Sequence, residues 1–460
     1  MPGIAAMSIG EPNSRARCQN SDRRSKSMNT KLPRQLGFWS ATILVLASAF
    51  GAVSAAAQEN PVKIGAVTFL SGAAAGPFGV PARNGAEIIV EAMNAGQLPA
   101  PYTAKGLGGA PAQLAFTDEA GGTTKQVNEY RNLVQRDNVD MVIGYISSGD
   151  CLAVAPLADE LKKLTVFFDC GTPRIFEDAS YKYLFRTGAT ATMDSVAAAL
   201  YVTELKPNLK KYAGINQNYS WGQDSWNDFE AAMKVLKPGV EAATSQMPKL
   251  LAGQYGAEIS TLLTSHADVV HTSFWGGDAE ALILQGAPRG LFQKSTVVMT
   301  AGEPTLVRLG SQVPDGTVIG ARGPFDVFAP DTELNRWFRK AYEDRYGVVP
   351  SYPAYKMAQA ILGVKSAWEK AQAANDGKRP SEDQVIAAFE HLSFEGPGGK
   401  VEMALGKGHQ AMQGTAYGIA KNAGGKITMV NVKTYPATKV TPPDGVKSDE
   451  WIKSGFKAGK

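Results

Sequence analysis

Small polar residues cluster where an apolar strand gives way to a helix: "VIGYISSGDCLAVAPLADE", residues 142–160, sets Ser147, Ser148, Gly149 and Asp150 at that junction. Free backbone N–H groups at a helix start favour an anion, and small residues let a ligand come close. The same residues also serve as ordinary helix caps, and the loop alone does not separate the two roles. The surrounding chemistry points away from bond making. Four histidines, His266, His271, His391 and His409, are scattered without metal-ligand spacing. His391 ends a predicted helix and His409 sits in a turn, which places both at a solvated surface. HExxH, GxSxG, Walker A and GxGxxG patterns do not occur. With no nucleophile–base pair and no cofactor cradle, the reading is a binding protein: not an enzyme, with no cofactor and no metal.

Other loops hold the same strand-end position. Short β-rich runs, "VKIGAVTF", "AQLAFTDE", "VDMVIGYIS" and "LTVFFDC", alternate with helical patterns such as "PARNGAEIIVEAMNAG" and "TTKQVNEYRNLVQRDN". A second series of similar grain follows "YLFRTGAT", with strands "KYAGINQ", "HADVVHTSF" and "STVVMT". Alternation of this kind predicts parallel sheets covered by helices on both faces. Ligands bind such sheets beyond the carboxyl ends of the strands. "FLSGAAAGPFG", "YISSGDC", "DCGTPRIF", "NQNYSWGQD", "SFWGGD" and "TAGEPT" all fall there. Two long helices, "PDTELNRWFRKAYEDRYG" and "PSYPAYKMAQAILGVKSAWEKAQ", precede a tail of hairpin strands with glycine turns.

The first 57 residues read as a leader. From Met28, Lys31 and Arg34 precede "FWSATILVLASAF", and small residues follow in "GAVSAAAQ". That is the pattern of a secretory signal, with cleavage after Ala55 or Ala57. Residues 1–57 hold seven Lys/Arg and two Asp/Glu, so the other 403 residues carry 40 basic against 41 acidic groups, a net −1. The basic excess belongs to the leader, and no nucleic-acid footprint is left. Roughly 400 remaining residues exceed what one core serves and predict two domains. Export also places the two remaining cysteines in an oxidising compartment. Cys151 opens a helix after one strand and Cys170 closes the next, so a Cys151–Cys170 disulfide is expected, the alternative being two half-buried free thiols.

Three segments carry a resemblance: "FRKAYEDRYGVVPSYPAYKMAQAI", "FEGPGGKVEMALGKGHQ" and "SGAAAGPFGVPARNGAEIIVEAMNAG". With the loops above, in this order, the chain resembles the type I periplasmic solute-binding proteins of ABC importers, in the Leu/Ile/Val-binding class. The resemblance implies an α/β, two-lobed fold, each lobe a parallel-rich sheet flanked by helices, with three hinge crossovers near 186–188, 322–323 and 396–399. The N-terminal lobe would comprise 58–187 plus 323–396, and the C-terminal lobe 188–322 plus 397–460. It implies capture of a small polar solute (amino acid, amide or aromatic acid) in the periplasm and delivery to an ABC permease of the inner membrane by a monomer. The alternative is a sensor of the same fold that regulates a partner.

The resemblance also assigns ligand contacts. Ser147, Ser148 and Gly149, with Thr172 and the backbone of Cys170, would hold a ligand carboxylate. Phe78 would form a lid in the first lobe, and Trp221 and Trp275 the rings of the second. Glu303 would pair with an ammonium group. Core packing is the competing role for the two tryptophans, packing on its own loop for Phe78, and an exposed loop acid for Glu303. Gly149 and Asp150 stand where the family usually has another Ser or Thr. A carboxylate at Asp150 repels a second one unless it points away or meets a cation. Together with two tryptophans, this favours a flat aromatic or amide-bearing ligand over leucine.

Overall fold

Val62, Ile64, Ala66 and Val67 are fully buried along the first strand, as a strand covered on both faces requires. The computed structural model describes Asn60–Lys457, so the expected leader at 1–57 lies outside the described residues. Five strands come first: β1 Val62–Thr68, β2 Ala112–Asp118, β3 Met141–Gly144, β4 Thr165–Phe167 and β5 Leu184–Arg186. Five more follow: β6 Lys211–Ile215, β7 Glu241–Gln246, β8 Val269–Thr272, β9 Thr296–Met299 and β10 Val318–Gly320. The tail supplies β11 Ser393–Gly396, β12 Gly399–Leu405, β13 Gln410–Met412, β14 Thr415–Ala423 and β15 Lys426–Tyr435.

These form two sheets, one per lobe, with orders β11-β12-β13-β5-β4-β3-β1-β2 and β15-β14-β10-β9-β8-β6-β7. Pairing is parallel from β1 to β5 and from β6 to β10, and antiparallel within the tail hairpins. The chain leaves the first sheet after β5 and enters the helix Ala191–Leu205, which packs on Ser220–Leu236 of the second lobe. It returns after β10 through Glu333–Tyr346 and Tyr352–Ala374, both packed on the first-lobe helix Val80–Ala95. The third crossover departs from expectation. Because β12 and β13 extend the first sheet, the division falls between Met412 and Thr415 and not at 396/397. The Gly396–Gly399 turn is a tight hairpin inside one sheet, not a hinge.

Local chemistry explains several helix ends. Ser147 accepts the Asp150 N–H with its hydroxyl, and Thr332 that of Asn335. Pro81 and Pro353 stand in first turns, and Gly96 ends its helix at φ 70°. After β15 the chain strays back towards the first lobe. Lys447 Nζ donates to Asp178 at 2.7 Å, and Asp444 accepts the Gly406 N–H at 2.6 Å. His409 is another correction. It is buried, with Nδ1 2.8 Å from the Leu184 carbonyl and its ring stacked on Phe185. His391 is exposed just past its helix. No helix among the described residues is long and apolar enough to cross a membrane.

Candidate functional site

The loops after β1, β3 and β4 meet those after β6, β8, β9 and β10. Phe78, Ile146, Asp169 and Gly171 of the first lobe face Tyr219, Trp221, Trp275, Ala301 and Arg322, with Tyr352 at the side. The cavity among them holds only about 10 Å³, the space of one water. Beside it, sharing Tyr219, lies a chamber of about 310 Å³ lined by Phe69, Ala74, Glu119, Ser147, Gly149, Asp150 and Leu251 among others. The lobes are clasped together. Thr172 Oγ donates to Asp224 at 2.6 Å, Arg174 Nε donates to the same carboxylate at 2.9 Å, and the Gly277 N–H donates to Ala73 O at 3.0 Å.

Rings from both lobes interlock at the centre. Phe78 meets Trp275 and Tyr352 edge-on, with centroids 5.2 and 5.3 Å apart. Indole N–H groups fix the tryptophans: Trp275 donates to Tyr219 Oη and Trp221 to Ser273 O, both at 2.8 Å. The Arg322 guanidinium lies 4.2 Å over the Trp221 ring. Gly171 lets this happen, since a Cβ there would stand 2.3 Å from Trp221 Cζ3.

Arg322 anchors a buried charge cluster. Nε donates to Asp194 at 3.0 Å, Nη1 to the Asp169 carbonyl at 2.6 Å and its carboxylate at 2.5 Å, and Nη2 to Ala189 O at 2.9 Å. Lys356 Nζ reaches the same Asp169 carboxylate at 2.8 Å. Burial and the neighbouring Arg322 push the Lys356 ammonium down to about 8, against the pull of Asp169 and Asp194. Burial opposes the Arg322 charge too, but Asp169 and Asp194 outweigh it and hold the group above its ordinary range. Within this cluster two cations thus face two carboxylates.

Just before the helix Ser148–Glu160, two backbone N–H groups are already engaged. The Glu119 carboxylate, from the end of β2, accepts the Ile146 N–H at 2.8 Å and the Ser147 N–H at 2.7 Å. Burial, with Asp150 nearby, drives the Glu119 carboxyl well above its ordinary range. Ser148 Oγ accepts the Gly171 and Thr172 N–H groups at 3.1 and 3.2 Å, and the Cys170 carbonyl accepts from Arg186 at 3.1 Å. Within this loop the chain itself thus engages the Ile146 and Ser147 N–H groups, the Ser148 hydroxyl and the Cys170 carbonyl. Asp150 is turned to Thr123, whose hydroxyl donates to it at 3.0 Å.

Of the residues expected to touch ligand, Phe78, Trp221 and Trp275 line the central cavity, and Ser147 and Gly149 line the chamber. Ser148, Cys170, Thr172 and Glu303 line neither. Glu303 is buried and accepts the Tyr352 N–H at 2.8 Å, its carboxyl pushed well above the usual range by burial and by Asp326. Cys151 and Cys170 are disulfide-bonded, with Cα atoms 6.5 Å apart. Sequence reasoning passed over Tyr219, Tyr352, Arg322, Asp169, Asp194, Glu119 and Lys356. One signal was available for the last: Lys356 interrupts the apolar helix run "YPAYKMAQAIL". Among the described residues no cluster of three or more His, Cys, Asp or Glu is set to hold a metal.

A family model described as periplasmic binding protein matches residues 61–426. Among curated proteins, a Leu/Ile/Val-binding protein homolog 4 from Brucella melitensis is 23% identical over 366 residues, covering 76% of this chain and 82% of that protein. Among solved structures, a solute binding protein of an ABC transporter from Rhodopseudomonas palustris BisB5, in complex with 3,4-dihydroxybenzoic acid, superposes with TM-score 0.70 at 20% identity, over 82% of this chain and 98% of that one. Another from R. palustris, in complex with benzoate, gives TM-score 0.70 at 19% identity, over 84% and 100%. A leucine binding protein from Thermotoga maritima gives 0.66 at 18% identity, over 81% and 98%. All share the two-lobed fold described above.

Proposed function

The chain belongs to the periplasmic binding protein family, and we propose that it captures a small, flat aromatic acid between its lobes and delivers it to an ABC permease. One observation carries the reading: Phe78, Tyr219, Trp221, Trp275 and Tyr352, contributed by both lobes, converge beside Arg322, and Tyr219 also lines the adjoining chamber of about 310 Å³, which has room for such a guest. Stacked and edge-on rings reward a planar apolar guest. A carboxylate at the cavity edge meets Arg322 and the Tyr219 and Tyr352 hydroxyls. Hydrogen-bond-donating substituents find Glu119 and Asp150 in the adjoining chamber.

A zwitterionic amino acid fits less well. It needs one site for its carboxylate and one for its ammonium group. Glu119 takes the Ile146 and Ser147 N–H groups and puts its own acid beside the first, and Glu303, suited to the second, faces the Tyr352 N–H instead of the cavity. The benzoates bound by the structural relatives support the same ligand class. Capture is a population shift: a guest that touches rings on both lobes favours the closed form, and release to the permease follows when the lobes part. The protein transforms nothing in this scheme, works in the periplasm after export, and acts as a monomer.

Isothermal titration of residues 58–460 with benzoate, 4-hydroxybenzoate and leucine tests the proposal. The benzoates should bind and perturb tryptophan fluorescence. Tighter binding of leucine than of either benzoate overturns it.

A further inference from the structure

A cavity of about 240 Å³ lies outside the cleft, and none of its lining residues lines the central cavity or the chamber. Its walls come from the loop after β4, from Arg186 and Gln410 on the adjacent strands β5 and β13, from the turn Leu405–Lys407, and from the returning segment Pro442–Lys447. Arg186 is fully buried, yet its hydrogen bonds go only to uncharged acceptors, the Gln410 side chain and the Cys170 and Thr172 carbonyls. Among the described residues it forms no salt bridge, whereas the equally buried Arg322 has two carboxylates. An unpaired buried charge is costly, and an anion from outside would offset that cost.

The acids that share this cavity are committed elsewhere. Glu177 accepts from the Ser448 N–H at 3.1 Å and from the Ser448 hydroxyl, and Asp444 accepts the Gly406 N–H at 2.6 Å. Lys447 pairs with Asp178, while Lys407 is exposed at the rim with no ion pair among the described residues. Burial, with Arg322 adding its repulsion and Glu177 opposing, lowers Arg186 to about 9, which leaves it charged at neutral pH. Apart from Ser180 and Thr190, the rest of the lining is apolar or glycine, with Phe176, Leu405, Pro442 and Val446 its larger side chains. The volume falls below the ~300–1,000 Å³ of sites for drug-sized molecules, so the occupant is short.

We propose that this hinge-side cavity, with Arg186 in its wall and Pro442–Lys447 closing it, is a second binding site, for a short aliphatic monocarboxylate. The site is separate from the cleft and does not depend on which solute the cleft takes.

Butyrate titrated into residues 58–460, followed by calorimetry, is the test. Val446→Trp, which fills the cavity from the closing segment, should weaken butyrate at least about tenfold, and Trp275→Ala in the cleft should leave it within about twofold. In crystals of the unaltered protein soaked with 4-bromobutyrate, the bromine should lie in the cavity, with the carboxylate against Arg186. Absence of butyrate binding, equal binding to Val446→Trp, or bromine in the cleft alone each overturns the proposal. Should Val446→Trp not fold, the bromine position decides.

Discussion

Replacing Gly171 by alanine should impair closure without harming the fold. The new Cβ would lie 2.3 Å from Trp221 Cζ3 and 2.5 Å from Arg322 Nη2. Ordinary contact needs roughly 3.5–4.0 Å between carbons, so the overlap exceeds an ångström. Neither neighbour yields easily. Trp221 is tied to Ser273 O, and Arg322 to Asp169 and Asp194. Gly171 and Trp221 belong to different lobes, so the clash is relieved when the lobes part and exists only when they meet. Overpacking of this kind costs about 1–3 kcal/mol, which converts to a benzoate Kd raised about 5- to 150-fold. The melting temperature of the ligand-free protein should move by less than about 2 °C. Calorimetry gives the first quantity, scanning fluorimetry the second, and small-angle scattering with saturating benzoate should show the variant more extended than the wild type. An unchanged Kd together with a melting point several degrees lower would refute the reasoning, because the clash would then lie inside one lobe.

Three further outcomes are expected. Trp275→Ala removes the ring that meets Phe78 and Phe69 and should weaken benzoate at least about tenfold in the same titration, from lost stacking and lost apolar contact together. Cys151→Ala with Cys170→Ala opens the 19-residue separation closed by the disulfide. That should lower stability by about 3 kcal/mol in urea denaturation, and reductant should then have no added effect. His271 is buried against Phe229 with neither ring nitrogen partnered, and burial lowers it to about 3. It stays neutral when folded, while the unfolded chain takes up a proton below about 6.5. Stability is therefore lost as pH falls from about 6.5 towards 3, at up to about 1.4 kcal/mol per pH unit. His271→Phe should flatten the dependence of the urea midpoint on pH over that window.

Much of the architecture was legible because it rests on local periodicity. "VKIGAVTF" and "STVVMT" are apolar runs of strand length, and the alternation with amphipathic segments leaves few topologies. Strand β7, Glu241–Gln246, escaped because it is an edge strand with no buried residue, so no apolar run marks it. The third crossover was misplaced for a related reason. "GPGGK" signals a turn whether it joins two strands of one sheet or two lobes, and only the pairing of β13 with β5 separates the cases.

By itself the sequence determined the two-sheet α/β plan, the pair of cysteines brought together at adjacent strand ends, and the aromatic residues at the strand-end loops. Those follow from hydrophobic period and from the short reach of neighbouring strands. Only the tertiary structure decided what each polar group at the cleft faces. Glu119 reaches the Ile146 and Ser147 N–H groups because β2 and β3 flank the same strand, β1. Arg322 finds Asp169 and Asp194 across 153 and 128 residues of chain. A backbone N–H or a charge is satisfied by whichever group packing places within about 3 Å of it, and spacing along the chain carries no record of that.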